Sequence, residues 1–141
     1  MARAFGLIPT LVLLGAACGN GPTAVNQLPA TVVLSLGETI RITELDLKLV
    51  FLEVVNDSRC PVDVTCVTEG FVTVRFSVIQ GTQQPSGLVM SSNAPASAFG
   101  VTLRITAVQP DRRTTRPIID PREYRVTFEL TPQIAATAAR Q

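Results

Sequence analysis

The chain has 141 residues, enough for one domain and too few for two. Its 12 Lys and Arg residues nearly balance 11 Asp and Glu residues, and this net charge of +1 gives no indication of binding to nucleic acid or to an anionic membrane surface. The sequence contains no His, which excludes Ser-His and Cys-His catalytic pairs and leaves a zinc site short of ligands.

Residues 1–17 have the pattern of a secretory signal. Arg3 supplies the positive charge, mostly apolar residues follow from Phe5, and small residues precede Cys18. This apolar run is too short to span a membrane. The segment ending in Gly-Ala-Ala-Cys resembles a bacterial lipobox, which implies cleavage before Cys18, a diacylglycerol on its sulfur and acylation of the new N-terminus. The alternative is ordinary secretory cleavage, which would leave Cys18 as a free thiol.

The segment 18–29 follows the predicted cleavage site and contains turn-forming residues without any charge. This composition predicts a flexible tether between a lipidated N-terminus and the domain. The sequence therefore predicts a lipid-anchored protein of the cell envelope that faces the periplasm or the exterior. Gly19 stands where an Asp would retain the protein on the inner membrane, which favours the outer membrane if the organism has one.

Segments of alternating or β-branched apolar residues, separated by turn formers, occupy residues 30–132. They predict an all-β domain, a single small antiparallel β-sandwich or partly open barrel of about six or seven strands with one short disulfide loop. Leu52–Val55 breaks the alternation, which indicates a bulge or a change of face. Residues 91–97 are predicted to be a loop, and 133–141 a disordered tail. The predicted inward-facing residues are Leu47, Leu49, Phe51, Val72, Val74, Phe76, Leu103, Ile105, Tyr124, Val126 and Phe128.

Five residues separate Cys60 from Cys66, and in an oxidising compartment this pair is expected to form a small disulfide loop. Other interpretations of the segment remain open. A redox pair would have C-x-x-C spacing, which is absent here. A calcium site could use the carboxylates of Asp57, Asp63 and Glu69, although their spacing does not match an EF-hand.

Charged residues surround this cysteine pair. Arg59 lies between Asp57 and Glu69 in the sequence, which suggests an ion pair across the loop. One interpretation is a surface salt bridge that contributes about 0–1 kcal/mol to stability. The other is a presented recognition surface formed by Asp57, Ser58 and Arg59, with Asp63 and Glu69 as further recognition residues.

The same segment resembles a motif of small uncharacterised bacterial secreted proteins and lipoproteins. The matching residues are Asp57-Ser58-Arg59-Cys60-Pro61, Val64, Cys66 and Gly70. The resemblance implies a compact β-domain with a Cys60–Cys66 bridge, and it implies no activity. Glu69 departs from the motif, which often has a small residue such as Ala before the Gly.

The sequence has no nucleophile elbow, no phosphate-binding Gly loop and no metal-binding motif. A carboxylate pair formed by distant acids remains an alternative. We therefore expect no enzyme activity and no small-molecule cofactor. The segment from Arg112 to Arg122 could bind an acidic partner but is predicted to be a solvated loop.

The predicted function is a lipid-anchored, non-catalytic module of the cell envelope. It would bind or present a partner, such as another envelope protein, through the Asp57–Glu69 turn. The first alternative is a purely structural envelope protein that associates through its sheet edges. The second is an accessory protein or inhibitor of a secreted enzyme.

Overall fold

Short segments rich in β-branched residues form nine strands and two 3-10 turns in the computed structural model, which describes residues 22–133. The strands are β1 (Thr23–Val25), β2 (Ala30–Ser35), β3 (Thr39–Ile42), β4 (Leu47–Asp57), β5 (Val72–Gln80), β6 (Ser86–Ser91), β7 (Ala96–Ala98), β8 (Val101–Gln109) and β9 (Arg125–Pro132). The 3-10 turns are Thr43–Leu45 and Pro121–Glu123.

The strands form two sheets. The first has the order β1-β3-β4-β5-β6, and the second has the order β2-β9-β8-β7. Every pairing is antiparallel except that of β1 with β3, which is parallel. The two sheets do not close into a barrel, so the prediction of an all-β fold arranged as a sandwich is confirmed.

The core lies between the inner faces of the two sheets, and the predicted inward-facing residues are all buried in it. Three phenylalanine rings join the sheets at its centre. Phe51 and Phe76 from the first sheet have ring centroids 5.4 Å apart. Phe128 from the second sheet meets them edge-on at 6.3 and 5.2 Å. Edge-to-face aromatic pairs at such distances add to the stabilisation that burial alone provides.

The β4–β5 hairpin carries the cysteine pair at its tip. Its pairing register shifts between Phe51 and Glu53 and again between Val54 and Asn56. These shifts confirm the predicted irregularity in β4. β-Bulges bend a strand and re-aim the residues that follow it. The bulged end of β4 places Asp57 at the end of the sandwich where the hairpin tip begins.

Two segments differ from the sequence-based prediction. Part of the predicted tether forms β1, which pairs with β3 and buries Val25. The predicted loop at residues 91–97 runs into β7, which pairs with β8. Both strands have three residues, too few for an alternating pattern to be recognised. The predicted signal segment, Cys18 and most of the predicted tail lie outside the described residues. Within residues 22–133, no helix is long and apolar enough to cross a membrane.

Candidate functional site

The loop that joins β4 to β5, residues 58–71, is called the disulfide loop. Cys60 and Cys66 are bonded through their sulfurs and have Cα atoms 5.9 Å apart, so the predicted disulfide is confirmed. Backbone hydrogen bonds hold the two arms of the loop together. The Cys60 amide donates to the Glu69 carbonyl (2.7 Å), and the Ser58 amide donates to the Phe71 carbonyl (2.9 Å).

Gly70 allows the two arms of the disulfide loop to approach closely. Its φ is +68°, and a Cβ at this position would lie 1.9 Å from the Ser58 carbonyl oxygen. No side chain can occupy that space. The Ser58 side chain also links the arms, because its hydroxyl donates to the Phe71 carbonyl (3.0 Å) and accepts from the Phe71 amide (3.1 Å).

The Arg59 side chain is directed into the protein. Its Nε and Nη2 donate to the two carboxylate oxygens of Asp57 at 2.9 and 2.7 Å. Its Nη1 and Nη2 also donate to the carbonyls of Val108 (2.7 Å) and Pro110 (3.0 Å). The Arg59 and Asp57 side chains are only 18% and 8% exposed, so this ion pair is not the surface salt bridge that the sequence suggested. Arg59 pairs with Asp57 and attaches the disulfide loop to the second sheet.

Tyr124, which lies between the second 3-10 turn and β9, completes this cluster. Its buried hydroxyl donates to the Asp57 carboxylate at 2.9 Å. Burial and this hydrogen bond raise the pKa of Tyr124 to about 12. Burial opposes ionisation of Asp57, but the hydrogen bonds from Arg59 and Tyr124 outweigh it and lower the Asp57 pKa. A buried tyrosine hydroxyl needs a hydrogen-bond partner, and the Asp57 carboxylate provides it.

The segment that follows β8 packs against the disulfide loop. The Thr114 amide donates to both carboxylate oxygens of Asp63, at 2.9 and 3.1 Å. Arg112 donates to the Arg59 carbonyl (2.8 Å), and the Val62 amide donates to the Arg112 carbonyl (2.9 Å). The hydrogen bonds from Thr114 lower the pKa of Asp63. Arg113 and Thr114 are exposed, in agreement with the predicted solvated loop, and the Arg112–Thr114 end of the Arg112–Arg122 segment also braces the disulfide loop through these hydrogen bonds.

The remaining predicted site residue is Glu69, which is exposed and joins the network through its backbone carbonyl. The structure does not bring its carboxylate together with those of Asp57 and Asp63. Among residues 22–133, no three His, Cys, Asp or Glu side chains lie close enough together to hold a metal ion.

Three valines of the disulfide loop are exposed, which was not predicted from the sequence. Val62 and Val64 are about half exposed, and Val67 is fully exposed. The valines on either side of Cys66 were the only sign of this exposed apolar surface in the sequence. Because valine is common in strands, they could equally have indicated a buried strand. Comparisons with protein-family models, with curated proteins and with solved structures found no match to this chain.

Proposed function

We propose that this protein is a lipid-anchored, non-catalytic module of the cell envelope that binds a protein partner through the disulfide loop. The observation that carries this proposal is the contrast between the polar and the apolar side chains of the loop. Arg59 and Asp63 are used in hydrogen bonds within the protein, Arg59 with Asp57 at the end of β4, whereas Val62 and Val67 are exposed to solvent. Val62, Val64 and Val67 lie within six residues of one loop, and neighbouring exposed apolar side chains are a feature of protein-binding sites.

The rigidity of the loop supports binding. A disulfide, the contact between Gly70 and the Ser58 carbonyl, and the Arg59 hydrogen bonds to the second sheet fix its shape before any partner arrives. A preorganised loop loses little conformational entropy when it binds, so its apolar contacts contribute more fully to affinity. Arg59, which the sequence suggested as a recognition residue, therefore positions the loop, and the valines provide the contact surface.

The engagement of the polar groups supports a non-catalytic role. The Asp57 carboxylate accepts hydrogen bonds from Arg59 and Tyr124 and is almost buried. A general base must reach a proton on the substrate, and a carboxylate with a lowered pKa is a weak base. Asp57 therefore fits a structural role better than a catalytic one.

A photo-crosslinking residue placed in cells at Val67 tests this proposal. Val89 is the matched control, because it is a half-exposed valine on β6 outside the disulfide loop. We expect a discrete adduct with another protein from position 67, no such adduct from position 89, and loss of the adduct when Cys60 and Cys66 are both replaced by Ser. Equal labelling from both positions would refute the assignment of the loop. An adduct only between two copies of the chain would favour the structural alternative.

The anchor is tested by the intact mass of the protein purified from the membrane fraction. We expect the loss of residues 1–17 and the addition of acyl chains at Cys18. Alkylation before and after reduction provides a second readout, because only reduction should expose Cys60 and Cys66. An unlipidated mass would refute the anchor and leave the binding role of the disulfide loop to be judged by the crosslinking result.

A further inference from the structure

A groove of about 660 Å³ lies where the turn between β2 and β3 meets the start of β9. None of its lining residues belongs to the disulfide loop. Its charged lining residues are Glu38, Arg41, Lys48 and Arg125, so three cations face one carboxylate. The groove is therefore locally positive, although the net charge of the whole chain is only +1.

The three cations of this groove form no ion pair within the part of the chain that the structure describes. Arg41 and Lys48 are directly opposite each other in the pairing of β3 with β4, an arrangement of like charges that destabilises a sheet. None of the ion pairs formed among residues 22–133 includes Arg41, Lys48 or Arg125. Glu38 accepts a hydrogen bond from the Ser35 amide at 2.7 Å through one carboxylate oxygen, and its single negative charge is outnumbered by the three cations. An anion bound between the three cations would relieve their mutual repulsion.

The chain itself links the groove to the proposed lipid anchor. Pro22 and Thr23 form part of the groove wall, and Pro22 is four residues after Cys18. Four residues span at most about 14 Å. A lipid on Cys18 would therefore keep the groove close to the membrane surface, at a distance comparable to the Debye length of about 8–10 Å. At this range, the negative potential of anionic lipids attracts Lys and Arg side chains.

We propose that the groove binds the phosphate-bearing head group of an anionic phospholipid in the membrane to which Cys18 is attached. This inference rests on the proposed anchor, and it adds an orientation of the domain relative to the membrane. With Arg41, Lys48 and Arg125 at the head groups, the domain is held with the groove against the membrane.

Lys48 gives a direct measurement, because it is the only Lys in the sequence. The mature lipidated protein is reconstituted into vesicles of phosphatidylcholine alone or of phosphatidylcholine with phosphatidylglycerol. The rate at which an amine-reactive reagent acylates Lys48 is then followed by peptide mass spectrometry. We expect labelling to be about fivefold slower in the vesicles with phosphatidylglycerol. Equal rates in the two vesicle types would overturn the proposal.

Variants separate the groove from a general effect of the charged surface. The double variant Arg41→Gln/Arg125→Gln should label at the same rate in both vesicle types. Arg104→Gln is the control, because Arg104 is an exposed residue of β8 outside the groove, and it should retain the difference. Continued protection in the double variant would overturn the proposal, since the groove would then not be the site.

Two further arms identify the source of the anion and the state of the anchor. In the first, inorganic phosphate is added to the phosphatidylcholine vesicles at matched ionic strength. Slower acylation of Lys48 there would assign the groove to a soluble phosphate compound and overturn the lipid assignment. The intact mass of the reconstituted protein is measured first. An unmodified Cys18 would refute both the anchor and this inference, whereas an acylated Cys18 with equal labelling rates would refute this inference alone.

Discussion

Arg59→Ala removes the cationic partner of Asp57 and leaves a carboxylate whose side chain is only 8% exposed. Breaking a buried ion pair from one side costs about 3–5 kcal/mol, because the other charge stays buried without compensation. The Arg59 side chain is 18% exposed, so water can replace part of the lost interaction. We therefore expect the free energy of unfolding to fall by about 2–4 kcal/mol at neutral pH.

The pH dependence of this loss follows from the Asp57 pKa. In the unmodified protein that pKa is lowered, so the contribution of Asp57 to stability is present at neutral pH and is lost only as the pH falls through the folded-state value. Without Arg59, burial shifts the Asp57 pKa upward, and protonation then relieves the buried charge. The stability difference between Arg59→Ala and the unmodified protein should therefore shrink as the pH falls from 7 to below about 4.

Urea unfolding at the two pH values measures both effects. Arg75→Ala is the matched control, because Arg75 forms an ion pair with Glu53 in which both side chains are about half exposed. Such a pair contributes about 0–1 kcal/mol. If Arg59→Ala is no more destabilising than Arg75→Ala at pH 7, the Asp57–Arg59 pair does not act as a buried structural pair and the reasoning fails.

Further variants and one titration test the contacts around Asp57 and the disulfide loop. Tyr124→Phe should lower stability by about 1–2 kcal/mol in urea unfolding, because the aspartate that it contacts loses a donor. In the unmodified protein, an ultraviolet absorbance titration should give the Tyr124 pKa of about 12 directly, because the chain has one Tyr and no Trp. Titration at the ordinary pKa of a tyrosine would contradict the burial of its hydroxyl. Gly70→Ala should lower the free energy of unfolding by at least about 3 kcal/mol. Gly37→Ala is the control and should lower it by about 1 kcal/mol, because Gly37 also has a positive φ but has open space around it. Equal shifts in melting temperature would count against the close approach at Gly70. Replacing Cys60 and Cys66 together with Ser should cost about 2 kcal/mol by the loop-entropy estimate, and an unchanged urea midpoint would show that the other contacts of the loop are sufficient.

Local patterns in the sequence account for most of the fold. The alternation of Val72, Val74 and Phe76 with polar residues identified both the strand and its buried face. The break after Phe51 indicated the bulges of β4, because an extra residue shifts the period of two. Such signals depend only on neighbours along one strand, so they can be read without the tertiary structure.

The features that the sequence did not reveal depend on contacts between distant residues. Tyr124 and Asp57 are 67 positions apart, and no local pattern connects them. Arg59 had two charged neighbours in the sequence, and only the position of the second sheet decides that its guanidinium turns inward to Asp57, Val108 and Pro110. The disulfide could be predicted because both of its ends lie within a few residues of each other.

The pairing of β2 with β9 has a consequence for the order in which the protein can be made and folded. Ala30 lies opposite Leu130, so β2 finds its neighbour only when almost the whole domain is available. Until then β2, which carries the buried core residue Leu34, has no neighbouring strand to pair with. This connectivity delays completion of the second sheet until the C-terminal strand β9 is available. On the proposed export of the chain, the second sheet would be completed only after β9 has crossed the membrane.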